Sequence, residues 1–324
     1  MNTKTTQTTK PDVYSRVTAR ILADLEKGVR PWVRPWNAEH AAGRITRPLR
    51  ANGTPYKGIN VFLLWAEAME KGYSAPFWMT FKQAAEIGAH VRKGEHGALV
   101  VYADKFTRTE TDTKGEECER EIPFMKAYTV FNVEQIDDLP AHYTAPPPPR
   151  PEPPQRIAAA EAFFAGTGAD IRHGGNRAFY STTYDFIQMP PFEAFRDAES
   201  HAATLAHELT HWTRHPSRLD RDFGRKKHGD EGYAREELVA EMGAAFLCAD
   251  LGITPEVRAD HAAYLASWLE VLNNDKRFIF TAASAAQRAA DYLHGLQPKP
   301  EAKPSPPAPA RPATLRPVPD FVLT

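Results

Sequence analysis

Cysteine is scarce in this chain: Cys118 and Cys248 are the only two among 324 residues, far apart and without C-x-x-C spacing. That excludes a disulfide framework and a cysteine zinc knuckle, and it suits a reducing cytoplasm. Also missing is any run of roughly 18 or more apolar residues, so no stretch reads as a membrane span. The opening stretch MNTKTTQTTKPD is polar and lacks the apolar segment of a signal peptide. An excess of one charge is absent too. Lys and Arg number 40 against 41 Asp and Glu, so whole-molecule charge argues neither for nor against a nucleic-acid partner. These absences predict a soluble, cytoplasmic protein with no membrane partner. What is present is a hydrophobic content of 42%, with 6 Trp, 17 Phe and 11 Tyr, enough to build real cores. The length suits about two domains.

Proline, by contrast, is plentiful and clustered. The stretch PAHYTAPPPPRPEPPQ, ending at Gln155, has too little apolar content for a core, and its consecutive prolines fix φ and remove donors. It predicts a semi-rigid linker over 141–155, between a domain at 10–140 and another at 156–296. A second proline-rich stretch predicts a disordered tail over 297–324. In the first domain, Val13, Val17, Ile21, Leu22 and Leu25 recur at helical spacing, with Gly28 as the stop. A loop rich in Pro, Arg and Trp follows. A helix is predicted over 59–71, ended by Gly72, and Thr80 can cap a short one. ALVVYADKF then reads as a strand, residues 108–121 as a charged hairpin and FMKAYTVFNVEQI as the partner strand. This domain is a small α+β unit with an antiparallel sheet. The second predicts a helix at 156–166, one strand across 178–190, and helices near 193–214, 233–251, 256–273 and 275–296. It is mostly helical with a small sheet, and the chain as a whole is α+β.

The chemistry concentrates in His207-Glu208-Leu209-Thr210-His211. Residues four apart lie on one helix face, so His207 and His211 can aim their imidazoles at one ion with Zn–N distances of about 2.0–2.1 Å. Glu208, about 100° around the helix, stands beside the metal, where a carboxylate can take a proton from a water that the metal has acidified. The flanks, AATLAHELTHWTRH, carry small and apolar residues, so the helix should be buried, where two unliganded histidines are costly. The bland alternative is a pair of hydrogen-bonded core histidines with a capping glutamate. A zinc peptidase needs a third protein ligand and an open fourth position. In YAREELVAEMGAAFL, Glu237 shares a face with Ala240, Glu241 and Ala244, and Glu236 is rotated off it. Glu237 is therefore read as the ligand and Glu241 as an acceptor behind a ligand imidazole, with Glu241 the rival ligand. Zn2+ is the expected metal, with Mn2+ or another divalent ion an alternative. His201, His215 and His228 read as surface histidines. Tyr233, Tyr184, Tyr180 and Arg235 are candidates for electrophilic help. The strand near 178–190 offers an edge for an extended peptide substrate.

A second concentration lies between Lys27 and Asn60. The basic residues Lys27, Arg30, Arg34, Arg44, Arg47, Arg50 and Lys57 face one acid, Glu39, and are interleaved with Trp32, Trp36 and Tyr56. Cations that track phosphates, combined with aromatic faces that stack bases, are what sequence-tolerant binding of single-stranded DNA requires. Tyr73, Trp78, Lys82, Arg92 and Lys93 extend the set. The alternative is a solvated basic loop whose tryptophans anchor it to the core.

With both features in view, the chain resembles the ArdC-type antirestriction proteins of conjugative plasmids and related mobile elements. The resemblance rests on PWVRPWN, NGTPYKGINVFLLW and FWMTFKQA in the first domain, and on HELTHWT, SRLDR and EELVAEMGAAFLCADLGI in the second. It implies an N-terminal domain that binds single-stranded DNA, related to the N-terminal part of TraC-like primases, and a C-terminal zincin-like metallopeptidase domain. It implies protection of incoming plasmid DNA from host restriction during conjugation. It also implies that His207 and His211 are metal ligands, that Glu208 is the catalytic residue and that the third ligand lies in the Glu237 helix. Three functions compete: a DNA-localised metalloprotease, a DNA-binding protector with a structural metal site, and a metal-dependent nuclease. The last is disfavoured, because two-metal phosphodiester chemistry prefers carboxylate clusters.

Overall fold

The structure, a computed structural model, describes residues 12–32, 46–111, 117–145, 153–224, 231–254 and 261–298. Helix α1 (Val13–Glu26) starts where the Asp12 carboxylate accepts from the Ser15 amide at 2.8 Å, and it buries Val17, Ile21 and Leu25 along one stripe. Helix α2 (Ile59–Lys71) ends on Gly72, whose φ of +74° forms a left-handed cap that L side chains resist. Nearly every residue in the first half of α2 is buried, as befits a helix covered on all sides. Around it run β1 (Leu49–Arg50), β2 (Phe77–Met79), α3 (Phe81–Glu86), β3 (His90–Val91), β4 (Ala98–Thr111), β5 (Glu117–Asn132), β6 (Ile136–Asp137) and α4 (Ala141–Thr144). Thr80 and Gln83 close a capping box at the start of α3. The sheet order is β1-β2-β5-β4, antiparallel except for the parallel β1–β2 pair. β4 and β5 stay in register from Ala98↔Val130 to Thr111↔Glu117, so residues 108–111 and 117–121 of the charged hairpin continue the inner ribbon outward, and residues 112–116 lie outside the described residues.

The second half comprises α5 (Pro153–Gly166), β7 (Asp170–His173), β8 (Phe179–Ser181), β9 (Phe186–Met189), α6 (Ala198–Trp212), α7 (Glu231–Leu251), α8 (His261–Asn274) and α9 (Phe278–Gly295). The single strand expected over 178–190 is two strands. The chain turns at Asp185, which has a φ of +53°, and β8 folds antiparallel onto β9. β7, which the aromatic alternation did not announce, pairs parallel with β9 on its other side. The expected linker is structured at its start: Tyr143 of α4 is buried and donates to the Ala51 carbonyl at 2.8 Å. α5 begins at Pro153 rather than 156, because proline is tolerated in the first helical turn. Residues 146–152 of the linker and 299–324 of the tail lie outside the described residues.

The two halves share a core. Phe62 of α2 stacks on Phe246 of α7 with ring centroids 4.8 Å apart, and Trp32 and Trp268 of α8 form a T-shaped pair at 5.7 Å. Arg47 forks onto Asp250 with two 2.7 Å hydrogen bonds. Thr18 of α1 donates to the Lys276 carbonyl at 2.6 Å.

Candidate metal centre

The site is built between α6 and α7. Asp197 caps α6 by accepting from the Ser200 amide at 2.7 Å. The helices approach closely at Gly243, where an added Cβ would stand 2.4 Å from Cγ2 of Thr210. Thr210 is itself fixed, its hydroxyl donating to the Ala206 carbonyl at 2.9 Å. A side chain at 243 would therefore push the two helices apart.

Across this contact, Nε2 of His207 and Nε2 of His211 lie 3.1 Å apart. Oε2 of Glu237 is 3.5 Å from the first nitrogen and Oε1 is 3.5 Å from the second. Among the described residues, these three side chains form the one group of His, Cys, Asp or Glu ligand atoms within 4.8 Å of one another. The outward nitrogens are also held. Nδ1 of His207 lies 3.4 Å from Oε1 of Glu241, and Nδ1 of His211 lies 3.1 Å from Oε1 of Glu236. A carboxylate behind each ring fixes its tautomer and orientation and leaves both Nε2 lone pairs turned inward. Glu241 thus stands behind an imidazole. Glu236, off the ligand face, does the same for the other ring.

Glu236 is in turn gripped by Arg221, whose Nε and Nη2 each donate at 2.8 Å, while the same guanidinium reaches the Thr213 hydroxyl and the Thr210 carbonyl. Burial works against ionisation of Glu236, yet the hydrogen bonds and charge of Arg221, backed by His211, hold its carboxyl at about 2. Burial also opposes the Glu237 carboxylate, but His211 and His207 keep it well below the usual range. Burial disfavours a charged His211, and Glu237 and Glu236 outweigh it, so this imidazole takes up a proton more readily than a free one. The carboxylates favour positive charge at their common centre, as a cation site does. Sequence reading gave Arg221 no role, although it lies within the SRLDR stretch. It comes from a non-helical segment whose placement no periodicity reports.

Glu208 is 3% exposed on the same helix. Of the electrophile candidates, Tyr184 is 75% exposed. Tyr180 donates to Asp185 at 2.9 Å and accepts from Arg218 at 3.1 Å. Arg235 pairs with Glu231 at 2.6 Å and lies over Phe278. Tyr233 alone of the four touches the centre: its hydroxyl interacts with the Glu237 carboxylate and stands 2.9 Å from that of Tyr264. His201 packs among Phe192, Phe195 and His173, His215 bonds Ser217, and His228 lies outside the described residues.

The basic aromatic segment is divided. Trp32 is wholly buried, and Tyr56 is buried beneath the Arg50 guanidinium. Arg47 is buried on Asp250 and Gln287, its guanidinium 4.4 Å from the Phe246 ring centroid. Two rings and one guanidinium are thus buried inside the protein, so as folded they are not surface contacts for DNA. Arg30 is half-buried beside Glu241. Arg50 is exposed, and so is Lys57, which pairs with Asp291 at 3.1 Å. Of the wider set, Trp78 is buried, Tyr73 half-buried, and Lys82 and Lys93 are exposed. Arg92 bonds Glu95. Arg34, Trp36 and Arg44 lie outside the described residues.

Family models of the N-terminal domain of anti-restriction factor ArdC and of a zincin-like metallopeptidase match residues 11–131 and 158–285. The protein y4eC of Sinorhizobium fredii is 43% identical over 302 residues, which cover 92% of this chain and 96% of that protein. DNA primase TraC of Escherichia coli is 39% identical over 307 residues, which cover 90% of this chain but 28% of the primase. Among solved structures, the metal-free antirestriction ArdC protein from the R388 plasmid superposes with a TM-score of 0.75 at 48% identity, covering 88% of this chain and 98% of that one. The Mn(II)-bound form of the same protein gives 0.72 at 46% identity, with the same coverage.

Proposed function

The chain belongs to the ArdC antirestriction family, and from that premise we propose that it is a metal-dependent peptide hydrolase joined to a domain that binds single-stranded DNA. The observation that carries the hydrolase reading is the convergence of His207, His211 and Glu237 on one point, with a glutamate behind each imidazole. The donor set fits zinc and tolerates manganese, and three ligands leave the fourth position open. When bound, the ion would supply Lewis acidity and lower the pKa of a water in that position. Glu208 is the general base: its carboxylate takes the proton of the attacking water and delivers it to the leaving amine. His207 and His211 serve as ligands and Glu237 as the third, each held in one orientation by its neighbours. Burial of Glu208 keeps bulk water from competing for its proton. Replacement Glu208→Gln should leave metal affinity intact and lower peptide cleavage by at least about a hundredfold, the usual reach of a general base. Unchanged cleavage by that variant would sink the hydrolase reading.

The DNA side of the proposal rests on the ArdC N-terminal match and on the exposed groups of that half. These are the cations Arg50 and Lys57, and the ribbon tyrosines Tyr102 and Tyr128, which are 49% and 45% exposed. Alanine at both tyrosines should weaken binding of a single-stranded oligonucleotide by about 1–3 kcal/mol for each stacked base lost, measured by fluorescence anisotropy. Equal affinity in the double variant would remove the ribbon from the DNA site. A second reading is favoured by the depth of the centre, where His207, Glu208 and Glu241 are 4%, 3% and 6% exposed. An ion held that deeply could serve the fold alone, with protection resting on DNA binding. Full antirestriction by Glu208→Gln in a conjugation assay would favour this reading, and its loss would favour the hydrolase.

A further inference from the structure

The metal centre has three ligands, and two are held by carboxylates behind their rings. The third, Glu237, has no such partner among those glutamates. It is met instead by Tyr233, one turn earlier on α7, whose hydroxyl interacts with its carboxylate. Tyr233 is in turn 2.9 Å, hydroxyl to hydroxyl, from Tyr264 of α8, with the two rings 5.7 Å apart. Tyr264 stacks on Trp268 at 6.1 Å, and the Trp268 indole donates to the Ala234 carbonyl of α7 at 3.1 Å. Trp268 is fully buried, in a T-shaped pair with Trp32. Both hydroxyls are thus carried on rings that packing locks in place.

We propose that Tyr233 and Tyr264 are positioning residues for Glu237, forming a hydroxyl relay that orients the third ligand toward the imidazoles. A carboxylate can turn about its last torsion and offer a cation one oxygen or two. A phenol that donates to Glu237 restricts that torsion and withdraws charge from the bonded oxygen, leaving the other as the better donor. Tyr233 can present its proton to Glu237 while its oxygen accepts from Tyr264. Removing the outer hydroxyl should therefore act only through the inner one. The inference rests on the metal-centre reading above, but not on any activity assigned to it.

The full-length chain, stripped of metal, is titrated with Mn(II), and the free-ion EPR signal is followed. Cobalt(II) added in parallel reports ligand geometry through its visible bands. Tyr233→Phe is expected to bind Mn(II) about tenfold more weakly, within the usual range for a partner behind a ligand. Tyr264→Phe should bind several-fold more weakly, and the double variant no worse than Tyr233→Phe, since the two act in series. The cobalt bands should shift in each variant, while metal-free melting temperatures match wild type, which a merely structural role would not allow. Should Tyr233→Phe melt early, Tyr264→Phe carries the same test from α8. Wild-type affinity and cobalt bands in both single variants would overturn the relay and leave the metal centre standing. Wild type binding no better than His207→Ala would overturn both.

Discussion

Asp250 lies in the last turn of α7 with the Arg47 guanidinium forked across both its oxygens, and the His294 imidazole sits 3.0 Å from the second. Burial opposes its ionisation, yet the hydrogen bonds of His294 and Arg47 and the charge of Arg47 hold it below the ordinary aspartate range. A folded-state pKa below the unfolded value of about 3.9 means that the pair contributes its full stability above that pH. The contribution is lost as pH falls through the depressed value. Asp250→Asn should cost about 3 kcal/mol at neutral pH, because it strands a buried guanidinium. The gap between variant and wild type should close in acid below about pH 4. Denaturant melts at neutral and acid pH check this, and a gap that does not change with pH would refute it. Arg47 also marks the limit of reading cations from composition. A run of Arg and Trp in a sequence says how many charges and rings there are, not which of them find a buried carboxylate or an aromatic slot. His207 and His211 were legible because their convergence is a property of helical spacing alone. Arg221 was not, because only tertiary structure brings it to Glu236.

At the scale of elements, the centre depends on the distance between α6 and α7. Gly243 sets it, and Thr210 has no room to yield while its hydroxyl is bonded within its own helix. Gly243→Ala should gain helix propensity of about 1 kcal/mol and still lose stability. Separation of the helices should draw Glu237 away from the imidazoles and weaken Mn(II) binding by tenfold or more, on the order of loosened ligand geometry. Calorimetric titration beside a thermal melt tests both halves, and a variant that binds Mn(II) as wild type would exclude the spacing argument. Helix α2 with its glycine stop and the cap at Thr80 could be read ahead of the structure, because their signals are local. The break at Asp185 and the strand β7 could not. A positive φ on an aspartate has no unique sequence mark, and a short strand such as β7 is defined by its partner β9.

At the scale of the whole molecule, the proline-rich stretch suggested two bodies on a spacer, whereas the halves meet through Phe62 on Phe246 and Trp32 on Trp268. Composition marks where the chain lacks a core of its own. It cannot tell whether the regions on either side go on to share one. Residues 12–145 and 153–298 made as separate chains should each expose these aromatic faces and self-associate, and should form a one-to-one complex when co-expressed. Two soluble, non-interacting monomers would refute that. In the intact chain the contact is a folding contact, indifferent to dilution. Severed, it would become a binding equilibrium that obeys mass action. The fraction of assembled metal centres would then follow the concentration of the pieces, and an N-terminal fragment added in excess would act as a ligand that restores α8 and its tyrosine to their places.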